Sequence, residues 1–194
     1  MATISRQKKD KQKYQYKREN SILGSCIDEY KLSEEEFCKL YSFYVTYSMC
    51  GSQSAKKRTF IDYGWPDNAI SKTELGEKLK SVLKLSYNKK FVFTDKDNLA
   101  EQFHLLELDD GELINLDQER AVISKTSENN NYLKLFYRIR YGLAHGKFRL
   151  LFSSSGERMV IIQDDNTNNV TARIVIKLST LLLYIDVIDV NGSI

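Results

Sequence analysis

Proline, glycine, cysteine and histidine are all scarce in this 194-residue chain: one, nine, three and two residues respectively. The single proline, Pro66, and the few glycines favour helix over a fold of many short strands, which needs a turn residue every few positions. Cys26, Cys38 and Cys50 are odd in number and widely spaced, with no C-x-x-C pair. No closed disulfide framework follows, and free thiols are expected. His104 and His145 are too few for a histidine-rich metal site, and neither H-x-x-H nor H-E-x-x-H occurs. A carboxylate site stays open, but no metal and no cofactor is expected. No apolar run reaches the roughly eighteen residues of a membrane span. The longest one near the end, LLLYIDVIDV, is short and carries Asp186 and Asp189. The first residues lack the apolar stretch of a secretory signal. The expectation is a cytoplasmic protein with no membrane partner.

What is present is ordinary globular material. Hydrophobic residues make up 42% and charged residues 28%, enough for one domain with a real core. The net charge of +3 is too small to announce a nucleic-acid binder, but its distribution is uneven. MATISRQKKDKQKYQYKR holds seven basic residues and one acid. Residues 1–20 therefore read as a solvated basic arm, with an attraction for phosphates as the sharper alternative. Residues 21–194 read as one domain: a helical body over 21–146, then a β-hairpin and a final helix over 147–190.

SEEEFCKLYSFYVTYSM pairs Ser33 with Glu36, the spacing of a capping box, and predicts a helix near 34–50. Ser71 and Glu74 repeat the pattern before an apolar stripe of Leu75, Leu79, Val82 and Leu83. Residues 52–70 read as a loop. A third helix is expected from about Asp95, with His104 as a partly buried packing residue inside it. Asp109-Asp110-Gly111 reads as a turn, DQERAVISK as a short helix, and SENNN as a polar break carrying a helix cap. From Asn131 an apolar face runs through YLKLFYRIRYGLAHG to Gly146, a natural helix terminator. After it KFRLLF, RMVIIQ and TARIVIK read as strands divided by SSSGE and DDNTNN. STLLLYIDVID reads as a last helix capped by Ser179. The fold class is therefore mainly α: a helical bundle with a small C-terminal hairpin or meander and a closing helix.

YRIRYGLAHGKF carries the chemistry. Arg140 and His145 are five residues apart, about 140° on an ideal helix, so one helix does not put them on one face. Histidine is the side chain suited to moving a proton near neutral pH. Arginine stabilises negative charge on a phosphate through paired hydrogen bonds. Together they suit RNA cleavage without metal: the histidine exchanges a proton with the ribose 2′-hydroxyl or the leaving oxygen, and the arginine holds the phosphate. One histidine is thin for both proton transfers. Two chains meeting along this helix would supply two of each residue.

RYGLAH, an arginine, four residues and a histidine at a helix end, resembles the R-x(4–6)-H motif of the HEPN superfamily, in its bacterial plasmid- and defence-associated subgroup. The resemblance implies an α-helical bundle that dimerises so that two motifs form one RNA-cleaving cleft. It implies a metal-independent endoribonuclease of toxin–antitoxin or anti-phage systems, acting on RNA and held by an antitoxin or another defence protein. Carried over, Arg140 binds the phosphate and His145 transfers the proton. The family commonly has a small polar residue after the arginine, where this chain has Tyr141.

Arg138 also fits the loose spacing, with six residues before His145. Arg138, Tyr141, Lys147 and Arg149 are the candidate RNA-binding residues: the basic ones by attraction to the backbone, Tyr141 with Tyr137 by stacking on a base. Against this, the basic residues read equally as surface charges and the tyrosines as core or interface. The competing function is a catalytically inactive module of the same type, binding RNA, nucleotide or protein, or a plain helical interaction protein.

Overall fold

The computed structural model describes residues 32–50, 58–66, 74–83, 90–109, 115–125, 130–166 and 169–194. Ser33 opens helix α1 (Glu34–Tyr41). Its hydroxyl accepts from the Glu36 N–H while the Glu36 carboxylate accepts from the Ser33 N–H, both at 3.1 Å. A π-helical turn, Ser42–Thr46, prolongs it. Helix α2 (Glu74–Leu83) and strand β1 (Phe91–Thr94) follow. A 3-10 turn, Lys96–Asn98, leads into α3 (Leu99–Leu105). Then come β2 (Arg120–Ser124), α4 (Asn131–Ala144), β3 (Phe148–Phe152), β4 (Arg158–Asn166), β5 (Asn169–Lys177) and α5 (Leu178–Ile188).

Among the described residues the strands form one mixed sheet in the order β1-β2-β5-β4-β3. β1 and β2 are parallel, and β3, β4 and β5 make an antiparallel meander whose β5 pairs with β2. The architecture is α/β, which corrects the helical bundle expected from the sequence. Two strands lie inside the stretch 21–146 read as purely helical, and they share a sheet with the C-terminal strands. β1 has only four residues, too few to show a period. β2 was expected as a helix because both its faces are covered. Ala121 and Ile123 enter one core and Val122 the other, so the alternation that marks a half-exposed strand is absent.

One sheet face carries the main core, in which Leu135, Phe136 and Ile139 of α4 and Leu181, Tyr184 and Ile185 of α5 pack on Ile162, Ile174 and Ile176. The other face carries a smaller core, where Leu99 and Phe103 of α3 meet Val122, Met159, Ile161 and Val175. Buried Arg173 on β5 ties that second layer down, donating to the carbonyls of Leu108 at 2.6 Å and Asp109 at 3.1 Å. His104 does not pack there. Its side chain is 81% exposed, with Nδ1 2.8 Å from Asp109 Oδ2. Ser179 is not a cap either: β5 runs straight into α5 at Leu178, with Lys177 in the N-cap position and its N–H held by Glu119 Oε1 at 3.0 Å. Cys38 is an exposed free thiol, and Cys50 is buried with its Sγ 3.5 Å from the Leu133 carbonyl oxygen. The basic arm, Cys26, Ser71 of the second capping pattern, and Asp110–Gly111 lie outside the described residues.

Candidate functional site

Helix α4 starts at Asn130, whose Oδ1 accepts from the N–H groups of Tyr132 at 2.8 Å and Leu133 at 3.3 Å. Tyr132, Leu135, Phe136, Arg138, Ile139, Gly142 and Leu143 turn inward and are buried. Leu133, Tyr137, Arg140, Tyr141 and Ala144 remain half-buried on the opposite stripe, and His145 beyond them is exposed. His145 takes the C-cap position, its N–H donating to the Tyr141 carbonyl at 3.1 Å. Gly146 follows with φ 64°, the left-handed conformation that ends the helix. Lys147 N–H then donates to the Gly142 carbonyl at 2.7 Å, and the chain enters β3.

Tyr137, Tyr141 and His145 are spaced four residues apart and form an aromatic row. Ring centroids lie 6.4 Å apart for Tyr137–Tyr141 and 4.3 Å for Tyr141–His145. The tyrosine after the motif arginine therefore packs against the imidazole. Arg140 is half-buried, and its Nε is buried without a hydrogen-bond partner among the described residues. Among the described residues no carboxylate pairs with Arg140.

The two arginines that the spacing leaves open have different surroundings. Arg138 is 7% exposed and points into the sheet. It forms an ion pair with Asp164, and donates to Thr171 Oγ1 at 3.0 Å and Ser124 Oγ at 2.9 Å. A charge-assisted network thus holds its guanidinium inside the fold, where the sequence places it among the candidate RNA contacts. Lys147 lies at the rim, paired with Asp165 and 5.8 Å from the centre of the Tyr141 ring. Arg149 is half-buried on β3 opposite Ile161. Arg140 lies on the half-buried stripe of α4 and His145 is exposed at its end, while Arg138 turns into the sheet.

Asp164 and Asp165 are not candidates on sequence grounds, because DDNTNN looks like a turn. Both aspartates belong to β4, which continues to Asn166. The signal for them is an acidic pair that follows an apolar strand and matches the basic residues flanking the motif. Among the described residues no three His, Cys, Asp or Glu side chains cluster as metal ligands would. No helix among the described residues is long and apolar enough to cross a membrane. Chemically, this helix end offers an exposed imidazole suited to proton transfer at His145 and, at Arg140, a guanidinium whose Nε has no partner among the described residues. Compared with protein-family models, curated proteins and solved structures, the chain matches none.

Proposed function

We propose that the C-terminal end of α4 is the site of a metal-independent endoribonuclease. The observation that carries this reading is the sorting of charges along one helix. Arg138 and Lys147 have carboxylate partners, whereas half-buried Arg140 and exposed His145 have none among the described residues. Arg140 holds the scissile phosphate and stabilises the charge that builds on it. His145 removes the 2′-hydroxyl proton, O2′ attacks phosphorus, and the bond to O5′ breaks. The proton that O5′ needs comes from His145 of a second copy, so the working unit is a homodimer meeting along α4. The resemblance of RYGLAH to the HEPN motif supports these roles at the level of side chains alone. An RNA-cutting activity of this kind suits a cytoplasmic toxin or anti-phage effector restrained by a partner protein.

The test is the chemistry of the ends. Cleavage by 2′-hydroxyl attack leaves a 2′,3′-cyclic phosphate and a 5′-hydroxyl, and products bearing 5′-phosphates contradict the mechanism. A second reading, a non-catalytic RNA-binding module, is favoured by the packing of Tyr141 against His145, which makes an aromatic platform. RNA that co-purifies with the protein and survives intact supports that reading instead.

A further inference from the structure

Asp164 and Asp165 sit where the register between β4 and β5 shifts: Asp164 lies opposite Ala172 and Asp165 opposite Val170. Thr171 is the extra residue of this bulge, and the sides change across it. Val170 enters the α3-side core, whereas Ala172, Ile174 and Ile176 enter the α4-side core. Thr171 Oγ1 can therefore join Arg138 and Asp164, at 3.0 Å from each. Each carboxylate takes one of the cations flanking the proposed catalytic pair. Asp164 takes Arg138, two residues before Arg140, and Asp165 takes Lys147, two residues after His145. Between them Gly142 meets Ile162, and the Gln163 N–H donates to the Lys147 carbonyl at 3.1 Å.

Four consecutive residues of β4 thus grip this segment: Ile162 and Asp164 meet the last turns of α4, and Gln163 and Asp165 hold Lys147 just beyond its end. The spacing suits this. Residues 138 and 142 are separated by about 6 Å of helix rise, and 164 and 162 by about 6.6 Å of strand. Helix and strand advance in step in opposite directions, so rotation and sliding of α4 are both resisted. A buried ion pair is a weak stabiliser compared with an apolar replacement, and its best-attested use is to fix one arrangement among several.

We propose that Asp164 and Asp165 are positioning residues, which set through Arg138 and Lys147 how the Arg140–His145 turn is presented. The proposal rests on the function assigned above. Asp165 has a second consequence: it neutralises the Lys147 ammonium, which lies 5.8 Å from the centre of the Tyr141 ring.

RNA binding is read in the His145→Ala background with a labelled synthetic RNA over a salt series. There Asp165→Asn frees one cation. It is expected to tighten binding about threefold to tenfold and to steepen the slope of log Kd against log salt by about one. In the chain with His145 intact, the same substitution is expected to lower both kcat and KM. A lesion that merely loosened the fold would weaken binding instead. Asp164 is read with the double variant Arg138→Met, Asp164→Val, which removes both buried charges together, and with Arg138→Lys, which keeps the charge and loses the fork. In whichever of these folds, kcat is expected to fall about tenfold or more with KM changed much less. The nuclear Overhauser contact between Gly142 Hα and the Ile162 methyl is expected to weaken. Unchanged RNA affinity in Asp165→Asn, with unchanged kcat and contact in the Arg138 variants, overturns the proposal. If the unaltered protein neither binds nor cuts RNA, the assigned function fails. Positioning then rests on the Gly142–Ile162 contact alone, and its full retention in a folded Arg138 variant is the overturning result.

Discussion

Gly142 on α4 and Ile162 on β4 meet so closely that the Ile162 Cγ2 methyl fills the place where a side chain at position 142 would begin. A Cβ there would lie deep inside van der Waals contact, with the Lys147 carbonyl oxygen at 3.4 Å on another side. Gly142→Ala is therefore expected to destabilise the fold by about 1–3 kcal/mol through overpacking, despite alanine's better helix propensity. The loss is measured by urea unfolding. Because α4 has to lift from the sheet to relieve the clash, RNA cleavage is expected to fall further than the fraction folded. An unchanged midpoint would show that α4 does not pack on β4 at this distance.

Two buried tyrosines of the same core make a matched pair. The Tyr44 hydroxyl donates to the Leu181 carbonyl at 3.0 Å, whereas the Tyr184 hydroxyl is buried with no partner among the described residues. Tyr44→Phe is expected to cost about 1 kcal/mol, and Tyr184→Phe to be neutral or stabilising, since it removes only an unsatisfied group. Thermal unfolding of the two variants checks the contrast. Equal losses at both sites would mean that the Tyr184 hydroxyl has a partner after all.

Acid is expected to loosen the junction of α1 and β4. Glu36 accepts two hydrogen bonds from Arg158, at 2.8 and 2.5 Å, besides closing the capping box with Ser33. These contacts, led by Arg158, hold its carboxyl at about 2, below the usual 4.5. A depressed folded-state value means the stabilisation is complete above about pH 4.5 and is lost as pH falls toward 2. The pair is partly exposed, so its contribution is about 1 kcal/mol at neutral pH. Glu36→Gln is expected to lie below the unaltered protein by that amount at pH 7 and to converge with it near pH 2. A constant gap between pH 7 and pH 2 would contradict the assignment.

Alkali should act on tyrosines. Burial pushes Tyr63 and Tyr132 up to about 12. Raised folded-state values mean that their stabilisation is complete below about pH 10 and is lost as pH rises through 12. Spectrophotometric titration at 295 nm is expected to show these tyrosines ionising only at the upper end of that window or on unfolding. Complete ionisation of all tyrosines near pH 10 in folded protein would contradict it.

How much could be read in advance depended on how local each feature is. The Ser33–Glu36 capping box and the Asn130 cap involve partners within three residues, and both stand as their spacing implies. The strands after Gly146 also lie where their β-branched runs place them. β1 and β2 escaped notice because their identity comes from distant partners: β2 is a strand through its pairing with β5, fifty residues away in round terms. The same limit hid Asp164 and Asp165. Spacing alone could not tell Arg138 from Arg140, since the difference lies in a bulge on another strand. The motif itself was visible, but its surroundings were not.

The most direct test of the central claim is cleavage of tRNA and total RNA, with EDTA present, by the unaltered protein, His145→Ala and Arg140→Ala. The unaltered protein is expected to cut, with His145→Ala slower by about 10²–10⁴-fold and Arg140→Ala by about 10²-fold or more. Cleavage by the folded His145→Ala protein at the unaltered rate, or none by any form, would contradict the assignment of this helix end as a ribonuclease site.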